Sequence, residues 1–546
     1  MIFRYLSKRA LQDAIGETLL ERLECLAPAL IPESADPAIL YRRENLLNIL
    51  FSFSSGHLMK EPNFIRTLLN SLPEEELETL SYVTKIGQKA SNFEERLEQL
   101  VQKGWHDPQY CEAFVRQAGL PNSFLPLAKQ NLLPKEVIDP SIIPFKRLKP
   151  YQYNLYKQAM EQLAIPRSRF VMHMPTGSGK TRTSMEFIAD TLNSAPPNSV
   201  VVWIAHSEEL CEQAIQCFRE VWVHIGQERA TIYRGYGKSC EIPRNNLGKA
   251  FFCAGFQKLY SLLKRNKDVF EILQTRSRLV VIDEAHKATA RTYEKVTKAL
   301  VGSETCLVGL TATPGRSIDN AEENEKLASL FFTQVIGITP PQNETVFTFL
   351  RKQKILAEVI MERLFTSRTY TLTSVQLRKL EREFDFSGDF LAQVGTDDIR
   401  NIEIVKRIKL ECEMNKKILF FACSVDHSKF ICALLNFSAI QAAHIDGRTD
   451  KSERVEKIRQ FKDGKLQVLC NYGVLSTGFD APNTDVVFIS RPTKSIVLYS
   501  QMIGRGLRGP AIGGTEKCKI INVIDNIQGL PSSDSIYGYF EEYWVR

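Results

Sequence analysis

The sequence has no apolar run approaching the ~20 residues that cross a bilayer. Its longest, Val200 to Ala205, has the length of one buried strand, so no membrane-spanning segment is expected. No Cys-x-x-Cys pair exists to start a zinc site; the twelve cysteines stand singly and read as reduced, buried thiols. A strong charge of either sign is also missing. With 70 basic against 63 acidic side chains, the net charge of +7 over 546 residues does not by itself name a polyanionic partner. Only 29 glycines and 24 prolines, with 44% hydrophobic and 24% charged residues, exclude a fibrous or largely disordered chain. No close internal repeat or low-complexity tract occurs. The opening Met1-Ile-Phe-Arg-Tyr-Leu-Ser-Lys-Arg is broken by charge too early for a signal-peptide core, which makes the cytoplasm the expected compartment.

At ~150 residues per domain the length predicts three to four domains. Residues 1–140 read as a helical domain. Asp36-Pro37 is an N-cap with proline at the first helical position, leading into Leu40, Leu46, Leu47, Leu50 and Phe51. Pro73 with Glu74 to Glu76, and Ser91 with Glu94, mark two further helix starts. Prolines at 121, 126, 134, 140 and 144 make Leu120 to Pro144 a linker of extended or turn backbone. Beyond it the texture changes to short β-branched runs between helical stretches: Phe170 to Met172, Val200 to Ile204, Ala250 to Phe252, Leu279 to Ile282 and Cys306 to Leu310. Such runs predict a parallel sheet covered on both faces. A second series follows at Ile418 to Phe421, Gln467 to Cys470, Asp485 to Ile489 and Cys518 to Val523. The expected fold is therefore α/β, with domains at 145–340 and 411–530, a charged connector or insertion at 341–410 and a tail at 531–546.

The strongest local signal is Met174-Pro-Thr176-Gly177-Ser178-Gly179-Lys180-Thr181 between an apolar strand and a helix. Glycines let backbone amides approach phosphate oxygens, the helix N-terminus adds positive potential, Lys180 reaches the β/γ-phosphates and the Thr181 hydroxyl ligates Mg²⁺. Met174 stands where the general pattern has its first glycine, and the bland alternative is a strand-helix turn that binds nothing. About a hundred residues on, Val280-Val-Ile-Asp283-Glu284-Ala285-His286 sets two carboxylates at a strand end. The first can hold the nucleotide's Mg²⁺ and the second can polarise an attacking water; without a phosphate loop nearby, the same acids would read as a helix cap.

Together these two motifs resemble the DEAH-type superfamily 2 helicases, whose motor is two RecA-like domains with ATP in the cleft between them. Other segments resemble that family's motifs in order. Leu148-Lys-Pro-Tyr151-Gln152 resembles the adenine-recognising motif, Ala205-His206-Ser207 motif Ia and Phe256-Gln257-Lys258-Leu259 motif Ib. Gly309-Leu-Thr311-Ala312-Thr313-Pro314 resembles motif III, which implies a coupling role for Thr311 and Thr313 together with His286. Phe420 to Ser424 resembles motif IV, Val474 to Pro482 motif V, and Gln501-Met-Ile-Gly504-Arg505-Gly506-Leu507-Arg508 motif VI. The resemblance implies nucleotide contacts from Tyr151, Gln152, Gly478, Asp480 and Gln501, and nucleic-acid contacts from His206, Gln257, Ser424 and Thr477. A small polar residue after a strand is otherwise a helix cap. Phosphoryl transfer spreads negative charge that a cationic fork stabilises, so Arg505 and Arg508, expected on one helix face, would be arginine fingers.

Thr-Ala-Thr-Pro, Thr-Gly-Phe-Asp-Ala-Pro and Gly-Arg-Gly-Leu-Arg look most like the branch of restriction-enzyme motor subunits and RadD- and XPB-type repair helicases. The resemblance therefore favours DNA over RNA and a role in repair, restriction or genome defence, with ATP and Mg²⁺ as the cofactors. An RNA helicase, and an ATP-gated nucleic-acid-binding module within a complex, are the alternatives. After motif VI the sequence carries no zinc ribbon or nuclease constellation, so if the motor belongs to a restriction, repair or anti-phage system, a nuclease or sensor is expected on a separate subunit.

Overall fold

The computed structural model describes residues 2–30, 40–53, 58–120, 124–126, 133–141, 146–236, 242–243, 246–287, 291–312, 325, 328–383, 385–474 and 484–528. The α/β class is as expected: two RecA-like parallel sheets and an all-α N-terminal region. The chain forms two compact units, one gathering the described residues of 1–130, 359–494 and 517–539, the other those of 131–358 and 495–516.

In the first unit, seven N-terminal helices run α1 (Lys8–Ile15), α2 (Glu17–Leu30), α3 (Arg43–Phe53), α4 (Pro62–Asn70), α5 (Glu74–Thr84), α6 (Phe93–Lys103) and α7 (Pro108–Ala118). Their starts follow local chemistry. Ser7 and Asp107 accept backbone N–H groups at the N-termini of α1 and α7. At α6 the cap is Asn92, one residue later than the sequence implies; it accepts from Glu95 N at 2.8 Å, and Ser91 instead donates its N–H and hydroxyl to the Glu95 carboxylate. The Asp36-Pro37 start lies outside the described residues.

The second unit holds an eight-stranded sheet: β1 (Lys135–Ile138), β2 (Arg169–His173), β3 (Ser199–Ala205), β4 (Ala230–Gly235), β5 (Lys249–Gly255), β6 (Ser277–Asp283), β7 (Cys306–Thr311) and β8 (Val335–Gly337). Its order is β1-β4-β5-β3-β6-β7-β2-β8, all parallel except β1, which runs antiparallel to β4. Helices α8 (Pro150–Leu163), α9 (Lys180–Ser194), α10 (Glu208–Ile225), α11 (Phe256–Arg265), α12 (Lys267–Arg276) and α13 (Arg291–Leu300) complete it. β1 lies inside the stretch read as a linker. Its Glu136 binds Arg219 and Arg234, and Arg234 also binds Glu212, which fastens the strand to the sheet edge by charge where apolar patterning is weak.

The other sheet, in the first unit, is ordered β11-β12-β10-β13-β14-β9, from β9 (Glu358–Thr371), β10 (Ile418–Phe421), β11 (Ala442–Ile445), β12 (Val468–Asn471), β13 (Val486–Ile489) and β14 (Lys517–Gln528). The stretch read as a connector thus supplies β9, a sheet edge, along with α14 (Val346–Lys352), α15 (Ser374–Glu383), α16 (Gly388–Gly395) and the start of α17 (Asp398–Glu413). The N-terminal helices do not keep a core of their own. Leu46 and Leu50 of α3 join Phe430 and Leu434 of α18 (Val425–Phe437) and strand residues Phe420 and Val468 in one buried cluster. Arg22 pairs with Asp398 at 2.5 Å and covers the Phe430 ring, Lys60 pairs at 2.6 Å with Asp450, which precedes α19 (Lys451–Lys462), and Lys409 donates to the Leu30 carbonyl at 2.9 Å.

Under this sheet Arg400, fully buried, makes a two-pronged bond to Asp525 at 2.8 and 2.9 Å and donates to the Ser490 hydroxyl at 3.0 Å. Removing one member of such a pair strands the other charge in a low dielectric. Arg400→Ala is expected to destabilise the unit by about 3–5 kcal/mol in urea unfolding, with Asp525→Ala in that background recovering part of the loss. A loss below ~1 kcal/mol would show the pair to be surface-like in strength.

Candidate active site

The parallel order puts the C-terminal ends of β2, β3, β5, β6 and β7 on one edge of the eight-stranded sheet, where ligands of open α/β sheets bind. Met174, His206, Gln257, Asp283 and Thr311 all stand at or just past those ends. β2 is buried and leads into the glycine-rich turn, which Ser178 tightens by donating its N–H and hydroxyl to the Pro175 carbonyl at 3.2 and 2.8 Å. Gly177 and Gly179 have φ of 84° and 88°, the left-handed region in which a Cβ is strained. Helix α9 starts immediately after, at Lys180, so its N-terminal N–H groups face the turn.

Lys180 Nζ lies 3.6 Å from Asp283 Oδ1 and 3.8 Å from Glu284 Oε1. Burial, together with the neighbouring Glu284 charge, pushes the Asp283 carboxyl above the usual carboxylate range, while the Lys180 cation opposes that shift. Glu284 is held at φ 52°, with its N–H on Asp283 Oδ1 at 3.0 Å, so the β6 strand turns sharply there and keeps both carboxylates beside Lys180. His286 Nδ1 is 3.5 Å from Glu284 Oε2 and 3.2 Å from the buried Thr311 hydroxyl, which joins the acidic segment to motif III.

Arg505 lies half-buried in the field of Glu284, and desolvation pushes its guanidinium down to about 10, still a cation at neutral pH. Burial also lowers Arg508, whose side chain lies against Gly177. The two arginines do not share a helix face as expected. Helix α20 (Ile496–Ile503) ends before both, because Gly504 and Gly506 open a turn, and Arg508 instead forms an antiparallel bridge to Leu356. Backbone bonds from Ala357 N to Leu507 O at 2.9 Å and from Gly509 N to Ile355 O at 2.8 Å fix that segment. Ile355 to Ala357 therefore position the arginines, a role no side-chain motif announces; the run of glycines at 504, 506 and 509 is the one hint, since it needs close backbone neighbours.

Tyr151 and Gln152 are both buried behind the turn. The Tyr151 hydroxyl and Gln152 Nε2 donate to the Ser178 carbonyl at 2.7 and 3.3 Å, and Gln152 Oε1 caps α8 by accepting from Lys149 N at 2.9 Å. Thr181 sits on the first turn of α9. Gln501, on α20, is buried, and among the described residues its Nε2 has no hydrogen-bond partner. Gln257 is exposed on the first turn of α11, and His206 follows β3 half-buried. Ser424, in the first unit, caps α18 by accepting from His427 N at 3.0 Å. Thr313, Thr477, Gly478 and Asp480 lie outside the described residues.

The donor set fits a nucleoside triphosphate with Mg²⁺: a lysine and a helix N-terminus for phosphate, and hard oxygens from Thr181 and Asp283 for the metal. Among the described residues no three His, Cys, Asp or Glu side chains form a metal cage of their own.

The family model for the res subunit of type III restriction enzymes matches residues 145–316, and that for the helicase conserved C-terminal domain matches 400–509. The chain is 25% identical over 386 residues to a 51.5 kDa protein of Lactococcus phage (isolate 7-9), covering 69% of this chain and 71% of that one. It is 26% identical over 396 residues to a putative mitochondrial ATP-dependent helicase of Schizosaccharomyces pombe, covering 70% of this chain but only 58% of the yeast protein. Among solved structures, the Pyrococcus furiosus Hef helicase domain aligns with a TM-score of 0.43 at 16% identity, over 72% of this chain and 98% of that one.

A Cβ at Gly504 would lie 2.3 Å from Thr176 Cγ2 and 2.9 Å from the Ser500 carbonyl. Gly504→Ala must therefore push the arginine segment off the glycine-rich turn. ATP turnover should fall on the order of a hundredfold with the fold retained, as near-ångström misplacement of catalytic groups does. Wild-type kcat in that variant would mean that the contact with Thr176 is dispensable.

Proposed function

We propose that this chain is a superfamily 2 helicase that hydrolyses ATP to drive movement along DNA in a repair, restriction or genome-defence system, a reading that both matched domains support. The observation that carries the reading is the convergence of Lys180, Asp283, Glu284 and Arg505 at one sheet edge. DNA is favoured by the resemblance of motifs III, V and VI to restriction-enzyme motors, and by the match of residues 145–316 to a restriction-enzyme subunit. The DEAH-type branch with RadD- and XPB-like relatives is the finer assignment these motifs support. A separate nuclease or sensor subunit and a cytoplasmic location belong to the same proposal.

In this reading Lys180 and the amides of Thr176 to Thr181 hold the β- and γ-phosphates, and Gln501 turns its amide toward them. Thr181 and Asp283 would hold Mg²⁺, which supplies charge neutralisation at the phosphates. Glu284 orients the water that attacks the γ-phosphorus in line and accepts its proton. Arg505 and Arg508 stabilise the charge that spreads over the transferred phosphoryl group. Tyr151 and Gln152, already bonded to the turn, brace the base side of the site. Gly478 and Asp480 complete the nucleotide contacts, His286, Thr311 and Thr313 pass the nucleotide state on, and His206, Gln257, Ser424 and Thr477 track the nucleic-acid backbone, so binding is sequence-independent.

Steady-state ATP hydrolysis with duplex DNA, single-stranded DNA or RNA tests the proposal. DNA should stimulate turnover; Glu284→Gln should abolish it while nucleotide still binds, Lys180→Ala should abolish binding or turnover, and Arg505→Ala or Arg508→Ala should lower kcat by ~10³. Stimulation by RNA alone would replace the DNA reading, and normal turnover in Glu284→Gln would remove that residue from its role.

A further inference from the structure

His173 is the last residue of β2, directly before the phosphate-binding segment, and lies outside every motif named above. In the parallel pairing of β2 with β7 it stands opposite Thr311. Its Nε2 donates to the Ala312 carbonyl at 3.0 Å, which assigns the proton to Nε2 in the neutral ring. The next backbone group, Met174 N, donates to the Thr311 carbonyl at 3.1 Å. Motif III is thus gripped from two sides. His286 meets the Thr311 hydroxyl at 3.2 Å from the acidic segment, while His173 and Met174 hold two successive carbonyls from the phosphate-loop strand. Burial and the nearby Lys180 charge keep His173 below the usual histidine range, consistent with a neutral donor.

We infer that His173 is a further coupling residue, a positioning group that passes the state of the phosphate-binding loop to motif III through its bond to the Ala312 carbonyl. The inference rests on the ATP-motor reading and adds a residue to it. The physical reason is economy of path. A displacement of the loop when phosphate engages Lys180 moves Met174 and His173 with it, and one backbone and one side-chain hydrogen bond transmit that displacement to consecutive carbonyls. The backbone bond from Met174 is available to any residue; the side-chain bond needs a donor of imidazole reach. Coupling carried this way is reciprocal, so it changes nucleotide affinity when nucleic acid is bound and leaves nucleotide binding without nucleic acid unaltered.

The test uses the full chain as wild type, His173→Ala and His173→Gln; glutamine keeps an N–H donor within reach of the carbonyl. Hydrogen exchange of the Cys306–Ala312 segment is followed with and without a saturating non-hydrolysable ATP analogue, alongside ATPase assays with and without nucleic acid. The expected result is that His173→Ala binds the analogue normally and keeps unstimulated turnover. It should lose the analogue-induced change in exchange and about tenfold of the nucleic-acid-stimulated rate, within the usual range of coupling energies. His173→Gln should restore both. A wild-type response in His173→Ala, no rescue by glutamine, no analogue-induced change in the wild type, or loss of analogue binding in His173→Ala would each overturn the inference. If no nucleic acid stimulates the wild type while the exchange response still depends on His173, the motor reading fails and the coupling residue stands.

Discussion

Everything at the sheet edge depends on holding two carboxylates and a cationic cluster in a space that excludes most water. Asp283 and Glu284 alone would repel each other there, and burial would favour protonating at least one of them. Lys180, within 3.8 Å of both, and the half-buried Arg505 beside Glu284 supply the opposing field. The cluster is therefore balanced only because three separate segments arrive together: the helix after β2, the end of β6, and the turn after α20. That dependence explains the geometry of each. Gly177 and Gly179 bring Lys180 in without side-chain bulk, Glu284 takes a left-handed backbone so that β6 can end in two acids, and Gly504 lets the arginine turn lie against Thr176.

The N-terminal helices show how patterning can find elements and still misplace a boundary. An amphipathic helix announces that it has an apolar face; it does not announce what covers that face. Leu46 and Leu50 mark α3 as amphipathic in either case, but the partner that buries them is α18, some 380 residues away, as is the hydrogen-bonding reach between Cys432 and the Ser52 carbonyl. With Arg22, Lys60 and Lys409 adding polar ties to the same body, the helices and the second sheet form one folding unit. A regulatory segment that swings free would leave both apolar faces to water, at a cost of ~25 cal/mol for each Å² exposed.

What was legible in the sequence follows the same logic. Strands buried on both faces, such as Val200 to Ile204 and Ile418 to Phe421, carry continuous apolar runs and were found nearly to the residue. Strands whose side chains are mixed or charged were not: β4 contains Thr231 and Arg234, and β9 carries Glu362, Arg363 and Arg368 on a strand that is mostly exposed or half-buried. β1 is held by Glu136 through ion pairs instead of by apolar burial, so no periodicity reveals it. Among the proposed site residues, the glycine-rich turn, both acids and both arginines could be picked out because the proposed chemistry fixes residue type. Arg400 was not, because a buried arginine looks like any helical arginine until its partner Asp525, on β14, is known.

The arginine segment carries the argument one step further. On a helix, Arg505 and Arg508 would point as the helix points, and any tilt would move both. In the observed arrangement Arg505 sits in a glycine-bounded turn and Arg508 on an extended stretch bonded to Ile355 and Ala357. Gly514 packs so closely on the Arg508 backbone that a Cβ there would lie 2.0 Å from its carbonyl oxygen, which seals the other side of the same stretch. The backbone from which both arginines project is thus set by main-chain hydrogen bonds and steric contact, the interactions least sensitive to side-chain substitution. A transition state that is stabilised by preorganised charge requires that kind of fixation, because any freedom left in the donors must be removed during the reaction and subtracts from the rate.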